Sequence, residues 1–364
     1  MKASRNGLKW AVAVLMIAVL TLSGHASLAE GEPPELGFEV VDSPEPLEVE
    51  TYNLHEFLRW KRLAVFDVEC YDMFFDYDSV TPDQLRETVE KNKGIGEPFK
   101  PLFYWYIDAV TTRYPEADLR PFYFNLQTLE VVECTPFELA FNALSIDSLG
   151  VYRRDQNKIY VDKRYDYPYG TFNFQIMIHE ITHVARCVFR KDYEGWDRYE
   201  IKPGYTYYEI AEESLNSLFA VSLFDYEERD IAYQMSSNMF LVMIECLDGK
   251  YVMSDYLNHS LTYFAHILDE HNGHNNYAMT IFQLIEAQRA DYQDDKYARD
   301  ENVYYPVYDY LCRMYLDRYA PEDCDEATLT ALVDVLIEKT FYDVPEEYPI
   351  DTDHFYEFAR EYMM

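Results

Sequence analysis

Apolar residues recur every three or four positions over most of this chain, which is the spacing that places them on one face of an α-helix. The pattern covers residues 52–107 and resumes after Arg190. From there we expect breaks at the following glycines and prolines: Gly195, Gly204, Gly249, Gly273, Pro321 and Pro345. Residues 150–162 differ, because two short apolar stretches flank a polar turn at 155–157 and predict a β-hairpin. This order of helices, a small antiparallel sheet and further helices indicates an α+β, predominantly helical fold.

Two helix starts are clear from the sequence. Thr81 and Thr135 are each followed by proline, and Gln84 or Glu138 stands three residues after the threonine. In such a capping box the threonine hydroxyl and the Gln or Glu side chain each bind a backbone N–H of the first turn. The sequence therefore predicts helices that begin at residues 82 and 136, the second reaching about residue 142.

The first 29 residues have the composition of a secretory signal peptide. The cations Lys2, Arg5 and Lys9 precede an apolar run of 13 residues at 10–22, and small residues follow it. The run is shorter than the roughly 20 residues of a membrane span, although an uncleaved membrane anchor is the alternative. We expect a secreted or extracytoplasmic protein that has no membrane attachment after cleavage of the signal peptide at 1–29.

Composition and periodicity divide the rest of the chain into four segments. Residues 30–51 are acidic, rich in proline and without periodicity, which is typical of a linker. We expect an N-terminal helical region at 52–128, a core that contains the small sheet at 129–225, and a C-terminal helical region at 226–364.

The chain is strongly acidic. It has 66 Asp and Glu residues against 31 Lys and Arg residues, which gives a formal net charge of −35. Nucleic acids and anionic membranes carry the same sign of charge, so we expect neither as a partner. The excess of acid favours solubility, cations and basic substrates instead.

Six cysteines occur in the chain. An even number in an exported protein allows three disulfides, and unpaired buried thiols are the alternative. The sequence assigns no pairs among Cys70, Cys134, Cys187, Cys246, Cys312 and Cys324.

The strongest chemical signal is the segment His-Glu-Ile-Thr-His at residues 179–183. On a helix, His179 and His183 lie one turn apart on the same face, where both imidazoles can bind one zinc ion. Glu180 lies beside them and can accept a proton from water bound to that ion. The helix also has an apolar stripe that suits a core, formed by Met177, Ile181, Val184 and Val188.

A catalytic zinc ion usually has three protein ligands and keeps one position open for water. One class of site adds a third histidine six residues after the second, but Arg186 and Phe189 occupy the corresponding positions here. A carboxylate from a second helix is the other common ligand. Residues 208–220 form an amphipathic segment that contains Glu212 and Glu213, and its apolar residues suit the core: Ala211, Leu215, Leu218 and Phe219.

These two segments resemble those of the gluzincin metallopeptidases, the thermolysin-like superfamily. In that family a Glu followed by a small, an apolar and two polar residues opens the second ligand motif, and residues 213–217 fit this arrangement. The resemblance implies a zincin-like catalytic core at 129–225, with the small antiparallel sheet packed on the motif helix and helical subdomains on either side. It also implies Zn²⁺ bound by His179, His183 and Glu213, with Glu212 as the alternative third ligand.

The sequence departs from the family pattern at two positions. Ser214 replaces the usual Gly or Ala, and Ser217 replaces the acid that hydrogen-bonds a ligand histidine in the family. Asn216 is the neighbouring residue that could orient the histidine instead. The family also pairs an extended substrate with an edge strand beside the zinc ion, and residues 158–162 are our choice for that strand.

The resemblance implies an exported zinc metallopeptidase that hydrolyses peptide or protein substrates, with Glu180 as the general base. A further donor would stabilise the oxyanion. The sequence leaves the identity of that donor open among His259, His266, His271, His274, Tyr205 and Tyr207.

Two other functions fit the same motif. One is a non-catalytic binding protein on a zincin scaffold, and the other is a zinc hydrolase of non-peptide amides such as cell-wall linkages. The retention of both histidines and Glu180 disfavours the first, because an inactive site is free to lose them.

Overall fold

The computed structural model describes residues 79–143, 149–153, 156–186, 209–224, 234–258, 261–273, 277–293, 301–344 and 351–363. Every described residue belongs to one compact unit, Val49–Met364. The predicted signal peptide, the predicted linker and the helical pattern before residue 79 lie outside the described residues.

Helices dominate the described part of the chain, which confirms the α+β, predominantly helical class. The elements in chain order are α1 (Pro82–Lys91), α2 (Lys100–Arg113), α3 (Arg120–Leu126), β1 (Glu130–Cys134), α4 (Pro136–Ala143), β2 (Gly150–Arg153), β3 (Lys158–Asp162), α5 (Phe172–Arg186), α6 (Glu209–Ser222), α7 (Gln234–Cys246), α8 (Asp255–Asn258), α9 (Leu261–Asn272), α10 (Tyr277–Gln293), α11 (Glu301–Tyr319), α12 (Glu326–Thr340) and α13 (Thr352–Met363).

Both predicted capping boxes are present. At the start of α1, the Gln84 N–H donates to the Thr81 hydroxyl at 3.3 Å and the Thr81 N–H donates to the Gln84 side chain at 2.8 Å. Thr135 and Glu138 make the same pair of bonds at the start of α4, at 3.3 and 2.8 Å. Local sequence therefore sets these two helix starts, because each box satisfies backbone donors that the first turn leaves open.

The sheet has three strands in the order β1-β3-β2. Strands β2 and β3 pair antiparallel, as the sequence predicts, but β1 joins β3 on its other side in parallel. The expectation of a purely antiparallel sheet is therefore wrong, because the short segment Glu130–Cys134 adds a parallel strand. The choice of residues 158–162 as an edge strand is also wrong, since β3 is the central strand and β2 lies at an edge.

Helix α5 packs against β2 on one side and against α6 on another. The predicted apolar stripe of α5 is confirmed for Met177, Ile181 and Val184, which are fully buried, while Val188 lies outside the described residues. The four apolar residues predicted for α6 are also buried: Ala211, Leu215, Leu218 and Phe219. Burial of these two stripes fixes the rotation of α5 and α6 about their axes, and so decides which of their polar residues lie where the two helices meet.

The predicted break points after α7, α9 and α11 are present. Gly249 and Gly273 follow α7 and α9 with φ of 79° and 67°, a conformation that glycine adopts without steric cost. Pro321 follows α11. Gly195, Gly204 and Pro345 lie outside the described residues.

Cys134, Cys246, Cys312 and Cys324 are free thiols, and Cys70 and Cys187 lie outside the described residues. Burial raises the pKa of the Cys246 and Cys312 thiols to about 12. Within the described ranges, no helix has the length and apolar character of a membrane span.

Candidate metal centre

Helix α5 places the two motif histidines side by side. The buried stripe of α5 holds the opposite face of the helix against the core, so His179 and His183 project together, with ring centroids 4.8 Å apart. Only 12% of the His179 side chain and 7% of the His183 side chain are exposed. Their Nε2 atoms lie 3.1 Å from each other, as expected for imidazoles one helical turn apart.

Helix α6 brings Glu213 against both imidazoles. One carboxylate oxygen, Oε2, lies 3.0 Å from Nε2 of His179 and 3.2 Å from Nε2 of His183. The three ligand atoms therefore form a nearly equilateral triangle with sides of 3.0–3.2 Å. In the described part of the chain this is the one group of three or more such residues that could hold a metal ion.

This triangle fits three corners of a tetrahedral zinc site. Zinc bonds of about 2.0–2.2 Å give ligand-to-ligand distances of about 3.3–3.6 Å, slightly longer than those observed. Two imidazole nitrogens and one carboxylate oxygen are also ligand types that zinc prefers. The residues therefore fit a zinc ion that has three protein ligands and one open position.

Charge and burial oppose each other within the triangle. Burial alone lowers the pKa of His179, but the hydrogen bond and negative charge of Glu213 outweigh it, so the pKa is raised. Burial alone raises the pKa of Glu213, but the charges and hydrogen bonds of His183 and His179 hold it well below its usual range. The ionised carboxylate thus faces two ring nitrogens, and a cation bound by these three residues would stabilise the arrangement.

Ser217 orients the His179 ring. Its hydroxyl Oγ lies 3.1 Å from Nδ1 of His179, on the side of the ring away from Glu213. When Nδ1–H donates to this hydroxyl, Nε2 keeps the lone pair that a metal ligand needs. Asn216 acts on the backbone instead, because its side-chain N–H donates to the His179 carbonyl at 2.9 Å.

Glu212, the alternative third ligand, points to a different partner. Its carboxylate forms an ion pair with Arg186 at the end of α5. Arg186 also donates to the Tyr256 carbonyl at 2.7 Å, and its guanidinium carbon lies 4.2 Å from the Tyr256 ring centroid. Among the two adjacent acids the structure therefore brings Glu213, and not Glu212, to the histidines.

The side chain of Glu180 extends from α5 to strand β2 of the sheet. It is only 7% exposed, and its Oε2 accepts a hydrogen bond of 2.6 Å from the backbone N–H of Tyr152 in β2. Burial is the main cause of its raised pKa, which the positive charge of the two histidines and the Tyr152 bond only partly oppose. A raised pKa suits a carboxylate that must both take up and release a proton.

Gly150 makes room for this carboxylate. A Cβ at that position would lie 3.3 Å from Cγ of Glu180 and 3.1 Å from Cγ2 of Ile176. Both distances are tighter than ordinary van der Waals contact. No sequence pattern indicates a role for Gly150 or Tyr152, because only the pairing of β2 with β3 brings them beside α5.

The proposed oxyanion donors that the structure describes do not contact the triangle. His266 forms an exposed ion pair with Glu270 at 3.3 Å, and His271 lies 3.2 Å from the Lys250 amine. The other four candidates lie outside the described residues: His259, His274, Tyr205 and Tyr207. The oxyanion donor therefore stays unassigned.

Comparison with known proteins gives no match: no family model, curated protein or solved structure is significantly similar to this chain. The resemblance to gluzincins therefore rests on the residues of the two motifs.

Proposed function

We propose that this chain is an exported zinc-dependent metallopeptidase that uses His179, His183 and Glu213 as metal ligands and Glu180 as general base. The observation that carries the proposal is the triangle of three ligand atoms 3.0–3.2 Å apart with a buried carboxylate on the next residue of the same helix. Export is supported by the signal-peptide composition of residues 1–29.

A zinc ion bound by these three residues would acidify water and polarise the scissile carbonyl. Glu180 accepts the proton from the attacking water and delivers it to the leaving amine. The Tyr152 N–H holds one oxygen of Glu180, so the second oxygen is the one available for the proton. Ser217 keeps the His179 ring turned so that its Nε2 faces the other two ligand atoms.

The geometry of strand β2 favours an extended peptide as the substrate. In an antiparallel pair, one residue directs its N–H and its C=O to the same side of the strand. The Tyr152 N–H donates to Glu180 rather than to β3, so the Tyr152 carbonyl also faces the outer edge of β2. An extended substrate that pairs along this edge would lie beside the general base.

Three isosteric substitutions test the proposal. Glu180→Gln keeps the shape of the side chain but removes the base, so we expect about one zinc ion per chain and a loss of hydrolysis of about 10²–10⁴-fold. Glu213→Gln removes a ligand charge and should lower zinc affinity strongly, while Glu212→Gln, which changes the neighbouring acid in the same way, should leave zinc bound.

The measurements are metal content by mass spectrometry and hydrolysis of a denatured protein pool and of a peptidoglycan digest. Protein that binds no zinc would contradict the metal site, and zinc loss in Glu212→Gln but not in Glu213→Gln would refute the ligand assignment. Zinc-loaded protein that cleaves only the peptidoglycan digest would show an amidase of cell-wall linkages. Zinc-loaded protein that cleaves neither would show a binding protein.

A further inference from the structure

A cavity lies beside the N-terminal half of α5. Its volume is about 480 Å³, which is within the range of about 300–1,000 Å³ for ligand sites. We call it the aromatic pocket, because six rings line it: Phe99, Trp105, Tyr165, Tyr167, Tyr169 and Phe174. It draws these rings from the start of α2, from the loop between β3 and α5, and from the first turn of α5.

The aromatic pocket is separate from the metal centre. Phe174 precedes His179 by five residues on the same helix, which corresponds to about 7.5 Å along the axis and about 140° around it. No ligand atom of the triangle belongs to a residue that lines the pocket. A ligand in the pocket would therefore not occupy the position of the reacting water.

The rings are arranged as a packed but accessible cluster. The Trp105 ring centroid lies 5.0 Å from that of Phe174 and 5.9 Å from that of Tyr169, and the last two rings lie 5.3 Å apart. Phe174 is only 4% exposed, whereas Tyr169 is 58% exposed and Tyr165 is 39% exposed. The pocket thus has a buried aromatic floor and a rim of tyrosines.

Two carboxylates also line the pocket. Glu133 comes from β1 and Asp166 from the loop before α5, and both residues are exposed. Neither side chain makes an ion pair or hydrogen bond within the described part of the chain. No Lys or Arg lines the cavity among those residues. Arg164 beside the rim pairs with Asp162, and its guanidinium carbon lies 5.4 Å from the Tyr165 ring centroid.

Aromatic faces and carboxylates together attract an organic cation, because the ring quadrupole and the negative charges act in the same direction. The volume of the pocket exceeds that of a bare ammonium group, and the apolar lining beyond the rings includes Pro98, Pro101 and Leu102. A long side chain with an apolar stem and a charged end matches both features. We propose that the aromatic pocket binds a lysine or arginine side chain of a peptide.

This proposal goes beyond the proposed hydrolysis and does not depend on it, since it concerns equilibrium binding at another place. The test titrates the full mature chain with N-acetyl-lysine methylamide and N-acetyl-norleucine methylamide, and follows the NMR chemical shift of the Trp105 indole N–H, since Trp60 and Trp196 would also contribute to fluorescence. Norleucine retains the apolar stem but lacks the charge. We expect the lysine derivative to bind with a dissociation constant at least fivefold lower than that of the norleucine derivative.

A charge-neutralising variant locates the site. Glu133→Gln with Asp166→Asn should weaken binding of the lysine derivative about fivefold, because each exposed charge pair contributes a factor of about two to three. The matched control is Glu322→Gln with Asp323→Asn, which removes the same charge at two exposed acids after α11. The control should bind like the parent, which excludes a general effect of the net charge of −35.

Tyr169→Leu tests the aromatic contribution at an exposed ring, and we expect a further loss of about two- to fivefold. Equal binding of the lysine and norleucine derivatives would overturn the proposal, as would equal losses in the two double variants. Choline binding more tightly than the lysine derivative would also overturn it, because the pocket would then select a small ammonium compound rather than a peptide side chain.

Discussion

The orientation of His179 by Ser217 leads to a sharp prediction. In Ser217→Ala the hydroxyl that lies 3.1 Å from Nδ1 of His179 is lost. Ser217 is 2% exposed, so water does not readily replace the missing group. The same helix offers a matched control in Ser214, which is fully buried and donates to the Ser236 hydroxyl at 2.8 Å instead.

The magnitude follows from the cost of leaving one buried polar group without a partner, about 1–3 kcal/mol. Since about 1.4 kcal/mol corresponds to a factor of ten, zinc affinity should fall about 5- to 150-fold in Ser217→Ala. Loss of such an orienting partner in other metal sites has an effect of about 10–100-fold, which is consistent with this range. Ser214→Ala should change zinc affinity by less than about threefold, because its hydroxyl does not touch a ligand ring.

The assay is competition between the protein and a fluorescent zinc chelator, with unfolding curves recorded in parallel for both variants. Equal zinc affinity in Ser217→Ala and the parent would refute the orienting role of the hydroxyl. Equal losses in the two serine variants would attribute the effect to packing of α6 rather than to the bond with His179.

Three further predictions concern the surroundings of the triangle. Gly150→Val should lower hydrolysis at least tenfold with zinc retained, because the valine side chain would displace Glu180, whose Cγ lies only 3.3 Å from a Cβ at this position. A fully active variant would show that this close approach is unimportant. Because the pKa of His179 is raised above the usual imidazole value of 6.5, protons compete for Nε2, and zinc affinity should fall about tenfold per pH unit below about pH 6.5. A flat profile from pH 7 to 5 would argue against imidazole ligands. Tyr256→Phe removes the hydroxyl that lies 3.2 Å from Oδ1 of Asn216, and it should lower the free energy of unfolding by about 1 kcal/mol as measured by urea denaturation. An unchanged free energy of unfolding would show that this hydrogen bond does not stabilise the fold.

The small sheet shows where sequence patterns stop being informative. Strands β2 and β3 flank a polar turn and are predicted correctly, because a hairpin is a local structure. Strand β1 reads Glu-Val-Val-Glu-Cys, which lacks the alternation of a half-buried strand, and its partner β3 lies 28 residues further along the chain. The sequence therefore left β1 unassigned and placed β3 at an edge.

The sequence by itself determined the features that depend on residues within one helical turn of each other. These are the two capping boxes, the apolar stripe of α5 and the pairing of His179 with His183, since helix geometry alone fixes their spacing. The resemblance favours Glu213 and leaves Glu212 as the alternative. The tertiary structure decided between them, because adjacent residues on a helix differ by about 100° in direction. Packing of α6 on α5 turned Glu213 to the histidines and left Glu212 to Arg186.

Tertiary structure also decided what surrounds the general base. The Tyr152 N–H and the space at Gly150 reach Glu180 only because β2 pairs with β3 and lies against α5. These contacts join residues about 30 positions apart, so no local pattern reports them. Long-range packing, rather than the motif, thus sets the burial of Glu180 and the direction of its pKa shift.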